Sequence, residues 1–359
     1  MTGMLSRLET QVLRGIAITA IVLHNYCHLL PGTATENEFA FDAVKPRLLV
    51  DALQNADHTF LMQLLSFFGH YGVAVFFFLS GYGLVMKYER GPAGEELRPL
   101  PFLWKHFKKL FVLMAGILVP FIIYQLATRS MPLNGWSLMD VLAQLSMTVN
   151  ALLVFPQFHI KPTPFWFFGC IMQLYVIYIL VLHRWRRGSL LLAVVLLCWG
   201  IQVAAPSESA LYYCKNNFVG NILPFALGIW LARAKGTAGL LTMMGKRGVM
   251  AVVLLLSVTV VFVGSFWFHS WLWLPVFVIT GAIGVVKVLP SIIMKWCAWM
   301  GGISACLFVA HPLIRTLGYV YFTGSALALH LGVIVYLLAS VGAAIIYRFI
   351  GKLSLRLGS

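Results

Sequence analysis

The chain has 359 residues, of which 60% are hydrophobic and 10% charged, and Lys plus Arg outnumber Asp plus Glu 26 to 11, for a net charge of +15. A mean hydropathy of +0.88, with charge far below the about 25% of an average soluble domain, excludes a water-soluble globule. The positive charge does not mark a nucleic-acid surface, because Lys and Arg lie mostly in short segments between apolar runs, where the positive-inside bias puts cytoplasmic loops.

Eleven apolar segments follow one another along the chain: roughly 11–30, 66–86, 107–127, 138–155, 165–183, 189–205, 217–232, 248–268, 271–288, 297–320 and 325–347. Several reach the about 20 residues needed to cross a hydrocarbon core, so an all-α integral membrane protein of one domain is expected. The first run holds Arg14 and His24 and no A-x-A-like cleavage site follows it, which predicts a retained span and not a signal peptide. The six cysteines are scattered, mostly within apolar runs and without a CxxC pair, so free buried thiols are expected. No internal repeat is evident, and no pairing of Gly/Pro-broken helices suggests an inverted-repeat transporter.

Sidedness and span count are settled together. Arg7 and Arg14 put the N-terminus inside, the acidic loop 31–65 falls outside, and the loop with Lys87, Arg90, Arg98, Lys105, Lys108 and Lys109 is cytoplasmic. Segment 138–155 decides the rest. If it crosses, the basic cluster 183–187 and the basic stretch 233–247 land outside; if it does not, these and Arg348, Lys352 and Arg356 all fall inside. It is also the least membrane-like segment, with Asp140, Gln144, Ser146, Thr148 and Asn150 along it, so it is predicted to be a re-entrant or interfacial helix. About ten transmembrane helices plus that one result, with both termini cytoplasmic, in a bacterial-type inner membrane.

The first span carries the most chemistry. At 100° per residue, Arg14, His24, Asn25 and His28 fall within an arc of about 100°, so this polar face must look into the bundle. With Arg14 near the cytoplasmic boundary, His24 is expected about 15 Å higher, close to mid-bilayer. A neutral imidazole there is a candidate general base. The alternatives are a buried histidine bonded to a neighbour, or a metal or haem site shared with His28, although no second histidine pair within a span completes a haem site.

Arg14-Gly15-Ile16-Ala17 with a histidine further along the helix, then the run Gly72-Val73-Ala74-Val75-Phe76-Phe77-Phe78-Leu79-Ser80-Gly81-Tyr82-Gly83-Leu84, resembles the family 3 membrane acyltransferases. The basic cluster Trp104-Lys105-His106-Phe107-Lys108-Lys109-Leu110 is similar to the one before that family's third span. Phe165-Trp166-Phe167 with Tyr175 is similar to its aromatic entry, and Ser304 with His311-Pro312 to its late segment. The resemblance covers nearly the whole chain, and its specificity lies in the order of the motifs. Two departures stand out. His24 lies one residue before the family's usual place, which Asn25 fills, and neutral Gln173 replaces an acidic residue that many members carry.

The resemblance implies transfer of an acetyl or related acyl group from its coenzyme A ester to a hydroxyl, of a saccharide or another surface or lipid-linked acceptor, with no metal. His24 and Asn25 are then the catalytic candidates. Arg14, Lys105, Lys108 and Lys109 are candidates for the donor's phosphates, the arginine as a bidentate fork and the lysines as point charges. The lysines could equally be positive-inside anchors. His28, Tyr82, Trp166, Gln173, His311 and Arg315 are candidates for acceptor contact. Asn25, Ser80 or Tyr82 could donate to an oxyanion, Ser80-Gly81-Tyr82-Gly83 also reads as small-residue helix packing, and Trp166 as an interfacial anchor. A transporter or exporter of a saccharide or lipid, without acyl transfer, is the alternative function. A non-enzymatic membrane partner or sensor is a third.

Overall fold

The computed structural model describes residues 4–55, 58–91, 97–128, 135–152, 165–234, 238–318 and 325–357. Helices account for the regular structure, and no strand occurs among the described residues. In chain order they are α1 (Arg7–Cys27), α2 (Lys45–Gln54), α3 (Phe60–Phe68), α4 (Gly72–Tyr88), α5 (Pro99–Ala127), α6 (Gly135–Leu145), α7 (Val149–Leu152) and α8 (Trp166–Ile177). Then come α9 (Gly188–Val203), α10 (Glu208–Asn216), α11 (Phe218–Arg233), α12 (Ala238–Gly245), α13 (Arg247–Gly264), α14 (Phe268–Val288), α15 (Ser291–Gly318) and α16 (Ala326–Leu357). A 3₁₀ turn at Gly69–Tyr71 joins α3 to α4, and a π turn at Tyr178–Leu182 extends α8.

Six helices are long and apolar enough to cross a membrane, and Trp166–Leu182, Gly188–Val203 and Phe218–Arg233 are shorter apolar helices. Their outward faces are greasy: Leu197, Leu255, Leu256, Leu338, Ile346 and Phe349 are all exposed. Such a surface belongs in lipid, where each helix meets its backbone hydrogen-bond needs internally. α1 is less apolar because it lies inside the bundle, packed against α3, α4, α14, α15 and α16. A capping box opens it: Ser6 Oγ accepts from the Glu9 amide at 3.2 Å, and Glu9 Oε2 accepts from the Ser6 amide at 2.7 Å.

Close helix approach is built on small residues. A Cβ at Gly15 would overlap the Cys297 carbonyl of α15, and one at Gly301 the Gln11 carbonyl of α1. Gly81 of α4 and Gly228 of α11 meet the Phe225 and Phe78 carbonyls in the same way, so within the Ser80–Gly83 run Gly81 has the expected packing role, whereas a Cβ at Gly83 would meet nothing.

Segment 138–155 is divided between α6 and α7, with Met147 between them at φ 59°. Eleven-residue α6 spans only about 16 Å and cannot cross. The fully buried Asn150 ties α7 into the bundle by donating to the Trp166 and Asn216 carbonyls. Residues 153–155 lie outside the described residues.

The basic segments meet at one end of the bundle. There Arg233 grips Glu89 with two hydrogen bonds of 2.7 and 2.9 Å and donates a third to the Leu182 carbonyl at 2.7 Å. Tyr178 also donates to Glu89, and Arg90 donates to the Arg233 carbonyl. This buried ion pair clamps the ends of α4, α8 and α11 together. The acidic loop after α1 covers the opposite end, where Trp271 at the start of α14 donates to the Asn37 carbonyl at 2.9 Å.

A histidine-rich candidate active site

His24 lies in the last turn of α1, and is 2% exposed. It is therefore near the loop-covered end of α1. The break between α3 and α4 positions it. Gly69 lets that break ride directly on α1, since a Cβ there would strike His24 Cβ and the Ala20 carbonyl. As α3 gives way to the 3₁₀ turn, the Ser66 carbonyl is turned toward His24 Nδ1 at 2.9 Å. A carbonyl only accepts, so Nδ1 carries the hydrogen and a neutral His24 presents the lone pair at Nε2.

Two groups face that nitrogen. His28 Nδ1 lies 3.3 Å away and Glu36 Oε1 3.7 Å. The loop beyond α1 folds back to bring Glu36 in, with side chains of His24 and Glu36 only 3% and 16% exposed. The ligand atoms of His24, His28 and Glu36 lie within 4.8 Å of one another, a cluster that could hold a metal ion with three protein ligands. The His70 ring stands 5.6 Å from that of His24.

α15 closes the other side. Arg315 Nη1 donates to Asn25 Oδ1 at 3.0 Å and to the Asn25 carbonyl at 3.3 Å, and its charge reaches His24. Asn25 Nδ2 is held in turn by the Ile21 carbonyl at 2.9 Å. Both ends of the Asn25 amide are thus engaged, and its evident effect is to orient Arg315. His311 is fully buried: Nδ1 donates to the Leu307 carbonyl at 3.0 Å, while Nε2 has no partner. Its own carbonyl accepts from Tyr336.

Other candidates lie elsewhere. Tyr82 is buried toward the basic end, its hydroxyl bonded to the Leu5 amide and carbonyl at 3.1 and 3.2 Å. Gln173 is engaged at both ends of its amide, donating to Asn217 Oδ1 at 2.7 Å and accepting from the Phe218 amide at 2.9 Å, so it pins α8 to the start of α11. Trp166 is buried against Phe39 and Phe77 and faces a cavity under the loop, not a lipid interface.

At the basic end, Lys105, Lys108 and Lys109 are exposed on α5, and Arg14 is exposed on α1. Arg14's charge reaches Tyr175, whose ring packs 4.7 Å from that of His106. Lys87, Lys105 and Lys109 surround His106 electrostatically, and Tyr88 bonds to it at 3.2 Å. Arg14, Lys87, Lys105 and Lys109 thus act electrostatically on the adjacent rings of Tyr175 and His106.

Glu36 and Ser66 were missed in the sequence. Glu36 belongs to no periodic pattern and Ser66 contributes a backbone carbonyl, which no side-chain motif encodes.

Fold and site together define a multi-pass helical membrane protein with a buried imidazole–carboxylate pair at one end and a cationic face at the other. A family model described as an acyltransferase domain, that of acyltransferase family 3, matches residues 8–349. The chain belongs to this family, and membrane acyl transfer is the activity that membership implies. No characterised protein and no solved structure compared with the chain matched it.

Proposed function

We propose that the protein moves an acetyl or related acyl group from acyl-coenzyme A to a hydroxyl of a saccharide or other surface or lipid-linked acceptor, with His24 as general base. The observation that carries this reading is the fixed tautomer of His24, whose Nδ1–H is committed to Ser66 while Nε2 faces Glu36. In the reaction, Nε2 takes the proton as the acceptor oxygen attacks the thioester carbonyl. The tetrahedral intermediate then collapses, the C–S bond breaks, and the proton passes from the imidazolium to the leaving thiolate. Glu36 stabilises the imidazolium, and Arg315, held by Asn25, stabilises the oxyanion.

The donor's phosphates dock at Arg14, Lys105, Lys108 and Lys109. Ten residues of α1 separate Arg14 from His24, about 15 Å, a gap for the pantetheine arm to cover from the cytoplasmic side. This reading takes α1, six long helices and three shorter apolar ones as ten spans of an inner membrane with both termini inside. The positive-inside rule supports that orientation.

The test uses the full-length protein in nanodiscs with acetyl-coenzyme A, following coenzyme A release by a thiol reagent and coenzyme A binding by calorimetry. His24→Ala is expected to lose about 10²-fold or more in turnover while still binding coenzyme A. Undiminished release by the variant, or no binding of coenzyme A by the wild type, would sink the proposal. EDTA is expected to leave turnover intact, because His24 Nε2 acts in this reading as a base and not as a ligand; loss on chelation, reversed by zinc, would instead make the cluster a metal centre.

A further inference from the structure

With Nδ1–H committed to Ser66, a neutral His24 has only a lone pair to offer at Nε2, and the Glu36 carboxylate oxygen facing it has only lone pairs too. At 3.7 Å the two make no hydrogen bond. Two acceptors aimed at one another across such a gap leave a place for a cation. The distances suit a particular one. Around a tetrahedral zinc ion, with bonds of about 2.0–2.1 Å, neighbouring ligand atoms stand about 3.3–3.4 Å apart. From His24 Nε2 it is 3.3 Å to His28 Nδ1 and 3.7 Å to Glu36 Oε1, and the ligand atoms of all three residues lie within 4.8 Å of one another.

The surroundings hold these atoms in register. Ser66 does so twice: its carbonyl accepts from His24 Nδ1 at 2.9 Å, and its hydroxyl donates to the Ala34 carbonyl at 2.6 Å. The first bond leaves Nε2 free, and the second fastens the Glu36 loop to α3. Metal-ligating histidines are usually held in this way through the other ring nitrogen. Gln63, one turn earlier on α3, accepts from the Ala34 amide at 2.7 Å and donates to the Gly32 carbonyl at 3.0 Å. Lys45 Nζ donates to the Glu36 carbonyl at 2.6 Å. The backbone of Glu36 is thus pinned, while the torsions of its side chain can bring the carboxylate the last fraction of the way.

Two nitrogens and one oxygen suit zinc and its transition-metal neighbours, whereas Mg²⁺ and Ca²⁺ take oxygen ligands. His28 and Glu36 are the partly exposed members of the group, so an ion enters from the loop-covered end. The charge of Arg315 reaches both histidines and opposes a cation there, which favours a reversible occupant over a permanent one.

We propose that His24, His28 and Glu36 form an inhibitory zinc site. The ion takes the Nε2 lone pair that acyl transfer needs, and His28 offers its Nδ1 by shifting its hydrogen to the other ring nitrogen. The enzyme works metal-free and stops when the site fills. Binding rests on the geometry, and its inhibitory consequence rests on the reading of His24 as general base.

The test uses full-length protein in nanodiscs, stripped with EDTA and then titrated with Co²⁺, whose visible absorption reports a four-coordinate site. One ion per chain is expected, displaced by Zn²⁺ and not by Mg²⁺ or Ca²⁺. His28→Phe and Glu36→Ala should each weaken binding by about tenfold or more, since even an outer-shell partner costs that much. Arg315→Gln should tighten it severalfold, a gain that misfolding cannot imitate. Zinc should suppress coenzyme A release by wild-type protein at least tenfold, and EDTA should restore it. Absence of the cobalt spectrum, binding undiminished in both ligand variants, or release that persists or quickens with the site filled would overturn the proposal. Absence of transfer by the metal-free protein would count against the base instead, and the cobalt spectrum would still decide the site.

Discussion

Replacing Glu36 by Gln removes a charge and little else, which makes it the sharpest test of the proton-transfer geometry. At 3.7 Å from His24 Nε2, a carboxylate favours the imidazolium by about 4 kcal/mol at an effective dielectric constant of about 20. That interaction is absent while the ring is neutral and present once it holds the acceptor's proton, so it acts on the transition state and not on donor binding. At about 1.4 kcal/mol per decade the upper bound is about 10³-fold in kcat, and a drop of about 10²–10³-fold is expected once the amide recovers some of the hydrogen bonding. Coenzyme A release at saturating acetyl-coenzyme A gives kcat, and a donor titration gives KM, which should stay put because the proposed phosphate site, Arg14 with the α5 lysines, lies away from Glu36. A variant within threefold of wild type would show that Glu36 does not support the imidazolium. A raised donor KM at unchanged kcat would place Glu36 in binding instead.

Neutralising Lys105, Lys108 and Lys109 together should raise the donor KM by tenfold or more at low salt and leave kcat unchanged, with the difference shrinking as ionic strength rises; an unaltered KM would return them to membrane anchoring. Glu89→Gln breaks a buried ion pair that also holds Tyr178. It should cost about 3–5 kcal/mol, read as a lowered thermal midpoint in detergent, whereas Glu89→Leu combined with Arg233→Met should recover much of the loss. Stability should pass through a trough near pH 7–8. Glu38 is raised from 4.5 to about 8, so the native state holds its proton more tightly and stability falls as pH rises across that window. Lys215 is lowered from 10.5 to about 7, so the unfolded state binds more protons above pH 7 and stability rises toward 10.5. Glu36, Tyr212, Cys214 and His70 are the other titratable groups interacting with this pair. Glu38→Gln with Lys215→Met should flatten the trough, and thermal midpoints unchanged by the double variant would discount both shifts.

Much of the architecture follows from the sequence because lipid permits so few solutions. A chain this apolar must satisfy its backbone within helices, so the runs along the chain fall on observed helices, and the polar residues of 138–155 exclude it as a span. The polar face of α1 is legible for the same reason: Arg14, His24 and His28 cannot face hydrocarbon. Tertiary structure alone decided which groups meet them. Glu36 reaches the site through the fold of a loop with no periodicity, and Ser66 through a carbonyl exposed where α3 breaks. Tyr82 and Gln173 looked equally eligible, yet helix packing committed each to neighbouring backbone or amide groups. Periodicity sets which side of a helix a residue faces, but loop closure and helix contacts set what it faces, because those contacts join residues far apart in the chain.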